Sequence, residues 1–151
     1  MSSGFVLLVD PHAEMIVGSI RQALEGVAQV EPCADFHGAR TRLLAAPPAV
    51  LVTNLRLHSY NGLHLVLLAS RALTRCLVYA EPDDLVLARE AQRLGAFYER
   101  ASHVPLILPA FFTATLPDSD RRDVARLDRR LAFRGSRRRA DVSDAGVSRN
   151  V

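Results

Sequence analysis

The sequence has no lysine: all 19 of its basic residues are arginine. A mechanism that needs a lysine ammonium, as nucleophile, Schiff base or mobile phosphate ligand, is therefore excluded. Tryptophan is absent too, and aromatics make up 6% of the chain. The two cysteines, Cys33 and Cys76, form no CxxC pair and are expected as small buried residues, not as a bridge or metal pair. No apolar run reaches the roughly 18 to 20 residues of a bilayer span, so no membrane partner is expected. The start, Met1-Ser2-Ser3-Gly4, lacks a basic n-region, and the expected compartment is the cytoplasm. Gly-rich phosphate loops and nucleophile elbows are missing, and His12, His37, His58, His64 and His103 show neither HxH nor HExxH spacing. These absences leave hydrolase, kinase, thioredoxin-like and zinc-site readings without support; no enzyme activity and no cofactor are expected.

What is present is an ordinary globular composition, with 49% apolar and 23% charged residues over 151 positions. That is enough for one compact domain with an appendage. The charge is unevenly placed. Residues 1–116 hold nine Arg against ten acids, net −1, whereas 117–151 hold ten Arg against six acids, net +4. The composition changes after Pro117, which divides the chain into a domain at 1–116 and an Arg-rich, largely disordered tail at 117–151.

Within the domain, short apolar runs alternate with stretches of helical spacing, the pattern of repeated β-α units. Strands are expected at Phe5–Val9, Ala28–Glu31, Val50–Thr53, Cys76–Ala80 and Ala96–Glu99, and helices near 12–25, 35–46, 61–73 and 83–94. The first, third and fourth runs are almost wholly apolar, as in strands covered on both faces; the second is more polar and suits an edge. Five such units predict an α/β fold, a doubly wound five-stranded parallel sheet of order 2-1-3-4-5. In that topology a site lies at the carboxyl ends of strands one and three, where Asp10, Pro11 and Asn54 stand.

Three segments carry a family resemblance: Val6-Leu7-Leu8-Val9-Asp10; Leu51-Val52-Thr53-Asn54-Leu55-Arg56-Leu57 with Asn61-Gly62-Leu63; and Gly95-Ala96-Phe97-Tyr98. Over about residues 4–116 the chain resembles the receiver (CheY-like) domain of bacterial response regulators. The resemblance implies two acids after strand one that hold Mg²⁺, a phosphoacceptor Asp ending strand three, a Thr or Ser ending strand four, and a Lys after strand five. Here Asp10 matches the first acid and Pro11 stands at the second. Asn54 occupies the phosphoacceptor position, Tyr79 the hydroxyl position, and Ser102 falls near the lysine. An uncharged amide is a poor nucleophile, so aspartyl-phosphate chemistry fails at Asn54. One carboxylate beside it would hold Mg²⁺ weakly at best. Plainer readings stand beside these: Asn54 as a turn cap, Asn61-Gly62 as a turn, and Tyr79 as a wedge in a vacated pocket.

The resemblance therefore implies a pseudo-receiver, a non-phosphorylated module of a two-component or phosphorelay system that works by protein–protein interaction. Its partners would be a sensor histidine kinase, another response regulator or a second copy of itself. Receivers present the face made by the fourth helix, fifth strand and fifth helix. Here the apolar segment 104–116, with Leu106, Ile107, Phe111 and Phe112, is the expected surface. Pro109 is expected to shift the start of that helix beyond itself or to kink it.

The tail has three readings. It is a solvated extension, or its Arg122, Arg126, Arg130 and Arg134 stripe contacts nucleic acid or another anion, or it carries a cyclic di-GMP remnant. The last rests on Arg122-x-x-x-Arg126 with Asp141-x-Ser143-x-x-Gly146, which resembles the paired motif of the PilZ family.

Overall fold

The computed structural model describes residues 4–125. Along the chain run β1 (Phe5–Val9), α1 (Ala13–Ala23), β2 (Gln29–Cys33), α2 (Phe36–Ala45), β3 (Val50–Asn54), a small hairpin of β4 (Arg56–Leu57) and β5 (Tyr60–Asn61), α3 (Leu63–Arg71), β6 (Arg75–Tyr79), α4 (Leu85–Arg93), β7 (Phe97–Tyr98), a 3-10 turn at Ala101–His103 and α5 (Val104–Thr113). The main sheet is parallel with order β2-β1-β3-β6-β7. Once the hairpin strands are set aside, this is the expected 2-1-3-4-5 arrangement.

Sequence and burial agree where both faces of a strand are covered. Val6 through Val9 and Val50 through Val52 are almost fully excluded from solvent, as are Leu77 and Val78. α1 adds Ile20 and Leu24 and α5 adds Val104, Leu108 and Phe111 to one core with Val6, Leu8, Val52 and Tyr79. β2 pairs with β1 alone, so Pro32 costs no ladder bond on its outer side, and the strand continues past the expected end at Glu31 to Cys33.

Two helix starts follow from caps. Asp35 accepts the Gly38 amide at 2.6 Å, and Asp84 accepts the amides of Val86 and Leu87 at 3.1 and 3.0 Å. The Leu87 amide is the main cause, with Arg56 adding to it, that holds the Asp84 carboxyl below the usual carboxylate range.

In α5, Pro109 does not shift the start of the helix, the first of the two expected outcomes. The helix begins at Val104, ahead of Pro109, and runs through that residue. Pro109 forfeits one helical hydrogen bond, but Val104, Leu108 and Phe111 on one face are each buried, and their burial outweighs the roughly 3 kcal/mol a mid-helix proline costs. Arg75 closes the far end, donating to the carbonyls of Phe111 and Ala114 at 3.1 and 2.8 Å, a cation where helix carbonyls lack partners.

The hairpin was not expected. His58 takes φ +54° at its turn, and Tyr60 stacks on Phe36 of α2 with ring centroids 4.7 Å apart, its hydroxyl 3.1 Å from His37 Nε2. The compact unit extends to Arg121, beyond the expected boundary at Leu116, because the chain after α5 returns to β7 and Asp120 accepts the Tyr98 amide at 3.1 Å. The second unit, Arg122–Val151, lies mostly outside the described residues, with Arg126, Arg130, Arg134 and the Asp141–Gly146 segment.

Candidate functional site

The chain leaves β1 at Asp10, β3 at Asn54 and β6 at Tyr79, three neighbouring strands whose carboxyl ends meet at the crossover of the sheet. Parallel register sets Asn54 beside Tyr79, and Asp10 follows the Val9–Thr53 pair. Asp10 and Tyr79 are 6% and 2% exposed, so their polar atoms must be satisfied within the protein.

They satisfy one another. Asp10 Oδ1 accepts the His12 amide at 2.7 Å, while Oδ2 accepts Asn54 Nδ2 at 3.1 Å and the Tyr79 hydroxyl at 2.5 Å. Asn54 Oδ1 accepts the Arg56 amide at 2.9 Å, which turns the other end of the side chain, its donor, toward Asp10. Burial first, and then the hydrogen bond to Asp10 and its charge, push the Tyr79 hydroxyl well above the ordinary phenol range. Tyr79 is thus a neutral donor at neutral pH.

Asn54 therefore does two things at once: it caps the turn after β3, the plainer of its readings, and it supplies a donor to Asp10. Tyr79 is more than a wedge, since its hydroxyl reaches the carboxylate directly. Pro11 is half-buried and brings no oxygen to the cluster. Ser102 is separate from it: exposed on the 3-10 turn, it lines a neighbouring cleft with Tyr79 and Glu81.

Gly62 holds the second layer. Its amide donates to Leu55 O at 2.8 Å, and a Cβ built there would stand 2.7 Å from Asn54 O and 3.1 Å from Leu55 Cα. Those are backbone atoms of the strand end that carries Asn54. Gly62→Ala is expected to destabilise the domain by about 1–3 kcal/mol and to shift the Asn54 and Arg56 amide resonances; a neutral change in urea midpoint with an unmoved spectrum would contradict this.

A divalent cation does not fit. Hard cations need several oxygens, and here both Asp10 oxygens already accept hydrogen bonds, position 11 is proline and position 54 presents an amide NH₂. Among the described residues no group of three His, Cys, Asp or Glu side chains is placed to hold a metal ion.

Arg100, two residues from the lysine position and the one nearby residue the sequence offered as a replacement charge, rims the site; Arg56, Glu81 and Asp83, which rim it too, were not singled out by the sequence. Arg56 reaches Asp84 at 3.2 Å, and Asp83 accepts the Tyr98 hydroxyl at 2.6 Å and faces Arg100 Nε at 3.5 Å. The signal was the acidic run Glu81-Pro82-Asp83-Asp84, one residue beyond Tyr79. The expected interaction surface is also corrected. Leu106 is 77% exposed, but Phe111 is in the core and Ile107 and Phe112 pack against it, because α5 is covered by α1 as well as by the sheet. No helix among the described residues is long and apolar enough to cross a membrane.

No family model matches the sequence, and neither does any curated protein. Solved structures do match. A CheY-like response regulator receiver domain protein from Methanospirillum hungatei JF-1 superposes with a TM-score of 0.61 at 21% identity, over 73% of this chain and 90% of that one. A LuxR-family two-component response regulator from Aurantimonas sp. SI85-9A1 gives 0.61 at 23%, over 74% and 86%. A Burkholderia pseudomallei response regulator, solved with a phosphorylated aspartic acid, a calcium ion and citrate, gives 0.62 at 23%, over 71% of this chain and 65% of its own length. The chain has the receiver fold.

Proposed function

We propose that this chain is a receiver-like module of a two-component or phosphorelay system that takes no phosphoryl group and acts through protein–protein contact. One observation carries the reading. The carboxylate that would help bind a metal and phosphate is instead closed by three internal donors, the Tyr79 hydroxyl, Asn54 Nδ2 and the His12 amide. A carboxylate satisfied in this way has little to gain from a cation. Asn54, where an attacking carboxylate would stand, has no charge with which to attack phosphorus.

In this reading the pocket is held in one arrangement and the module is constitutive. The surface it offers is read by a sensor histidine kinase, a second response regulator or a second copy. It is not an enzyme, and it needs no cofactor. The receiver fold supports the class of system, and the closed cluster supports the loss of phosphotransfer.

Incubation with acetyl phosphate and Mg²⁺, followed by intact-protein mass spectrometry, tests it. No phosphoryl adduct is expected on the unaltered chain. An adduct that forms there and survives Asn54→Ala would place the chemistry elsewhere and overturn the reading.

A further inference from the structure

Two clefts meet beside Tyr79. One, of about 390 Å³, has Ile16 and Pro105 as its apolar walls, with the buried Ile20, Val104 and Tyr79 beneath them. The other, of about 510 Å³, is lined by Asp83 and Arg100 among others. They share Glu81, Ala101 and Ser102, so an apolar arm and a polar arm join at a carboxylate and a hydroxyl. Each is in the size range of small-molecule sites, which run from roughly 300 to 1,000 Å³.

The charges at the junction select the ligand. Asp83 is already engaged by Arg100 and by the Tyr98 hydroxyl. Glu81 makes no ion pair among the described residues. With two carboxylates against one guanidinium, the junction is net negative, which disfavours an anion. Ser19 Oγ donates to Ile16 O at 2.9 Å, leaving its lone pairs to accept from a ligand, and Ser102 offers a second hydroxyl. A hard metal ion would find only one uncommitted carboxylate.

The geometry points to this joined cleft as a binding site for a small organic cation, a primary amine carrying a compact apolar body. The ammonium sits at Glu81 with the Ser19 and Ser102 hydroxyls, and the body lies along the half-exposed Ile16 and Pro105 side chains. Occupancy would act on the segment Glu81–Asp84, whose last residue caps α4 and pairs with Arg56. The site gives the domain an input that needs no phosphoryl group, although its existence does not rest on the absence of phosphotransfer.

Phenethylamine is the probe and phenylacetate its anionic counterpart, each titrated into the full chain and followed by amide chemical shifts. Saturable shifts at Ser19, Glu81 and Ser102 are expected with the amine, and binding of the anion weaker by about tenfold. Glu81→Gln, an exposed substitution, should weaken the amine by about three- to tenfold with the rest of the spectrum in place. Ala101→Phe, which fills the shared junction, should abolish binding. The proposal is overturned if no saturable shift appears by about 10 mM, if the anion binds as well as the amine, or if Glu81→Gln leaves the affinity unchanged. The acetyl phosphate experiment reads a different event, so either result can fail without the other.

Discussion

Asn54→Asp should cost the folded domain about 2–4 kcal/mol at neutral pH and make its stability respond to magnesium. The substitution exchanges a donor for an oxygen. The 3.1 Å hydrogen bond to Asp10 becomes a contact between the facing oxygens of two nearly buried carboxylates, where the Tyr79 hydroxyl is the donor at hand; the His12 and Arg56 amides serve the other two oxygens. The Arg56 amide still finds its acceptor, so the turn after β3 keeps its shape and the penalty is electrostatic. A divalent cation relieves such a pair by supplying the charge the amide no longer replaces, and it stabilises by mass action in proportion to its affinity for the folded state. Urea unfolding with and without about 10 mM MgCl₂ measures both effects. A variant as stable as the parent, or equally indifferent to magnesium, would mean that Asp10 and position 54 are less tightly coupled than their distance implies.

Alkaline pH should unfold the protein through its buried weak acids. Desolvation pushes the Cys76 thiol from 9.0 up to about 12 and raises the Tyr79 and Tyr98 hydroxyls from 10.0, each tyrosine further raised by a carboxylate it donates to. A group whose pKa is raised by folding contributes stability that is complete below its unfolded value and lost as pH climbs through the folded one. The contribution of these groups is therefore flat below about pH 9 and falls above it, by roughly 3 kcal/mol at pH 11 from Cys76 alone, with the tyrosines adding from about pH 10 upward. Because the chain has no lysine, the side chains entering this window are cysteines and tyrosines, and the slope can be assigned. Cys76→Val should remove the portion that begins near pH 9. Urea midpoints that stay level from pH 8 to pH 11 would sink the argument.

The centre of the sheet was legible because β1, β3 and β6 are largely apolar runs buried on both faces, a pattern that depends on local sequence alone. The start of α5 was not legible, since it depends on how much core Val104, Leu108 and Phe111 fill around Pro109. The hairpin was missed for a related reason: a left-handed His58 and a Tyr60–Phe36 stack between distant segments leave no local period. In the site, the positions of Asp10, Asn54 and Tyr79 could be read from the strand ends, but the hydroxyl's direct bond to Asp10 could not. It joins residues 69 apart and depends on how long a phenol is and where its ring points. The place of Ser102, on a 3-10 turn after β7 and lining a cleft with Tyr79 and Glu81, has no local sequence signal either.

The Asp120 carboxylate on the Tyr98 amide also governs where the chain can be cut. β7 is two residues long and is the last strand of its sheet, so its outward N–H is a pairing template for another chain. Asp120 is 8% exposed and occupies that amide with a charged group that cannot propagate a sheet. A fragment ending at Leu116, where composition alone would trim, leaves the template open and invites edge-to-edge aggregation. One ending at Arg121 keeps it shut, and the five residues between them decide whether an isolated domain stays in solution.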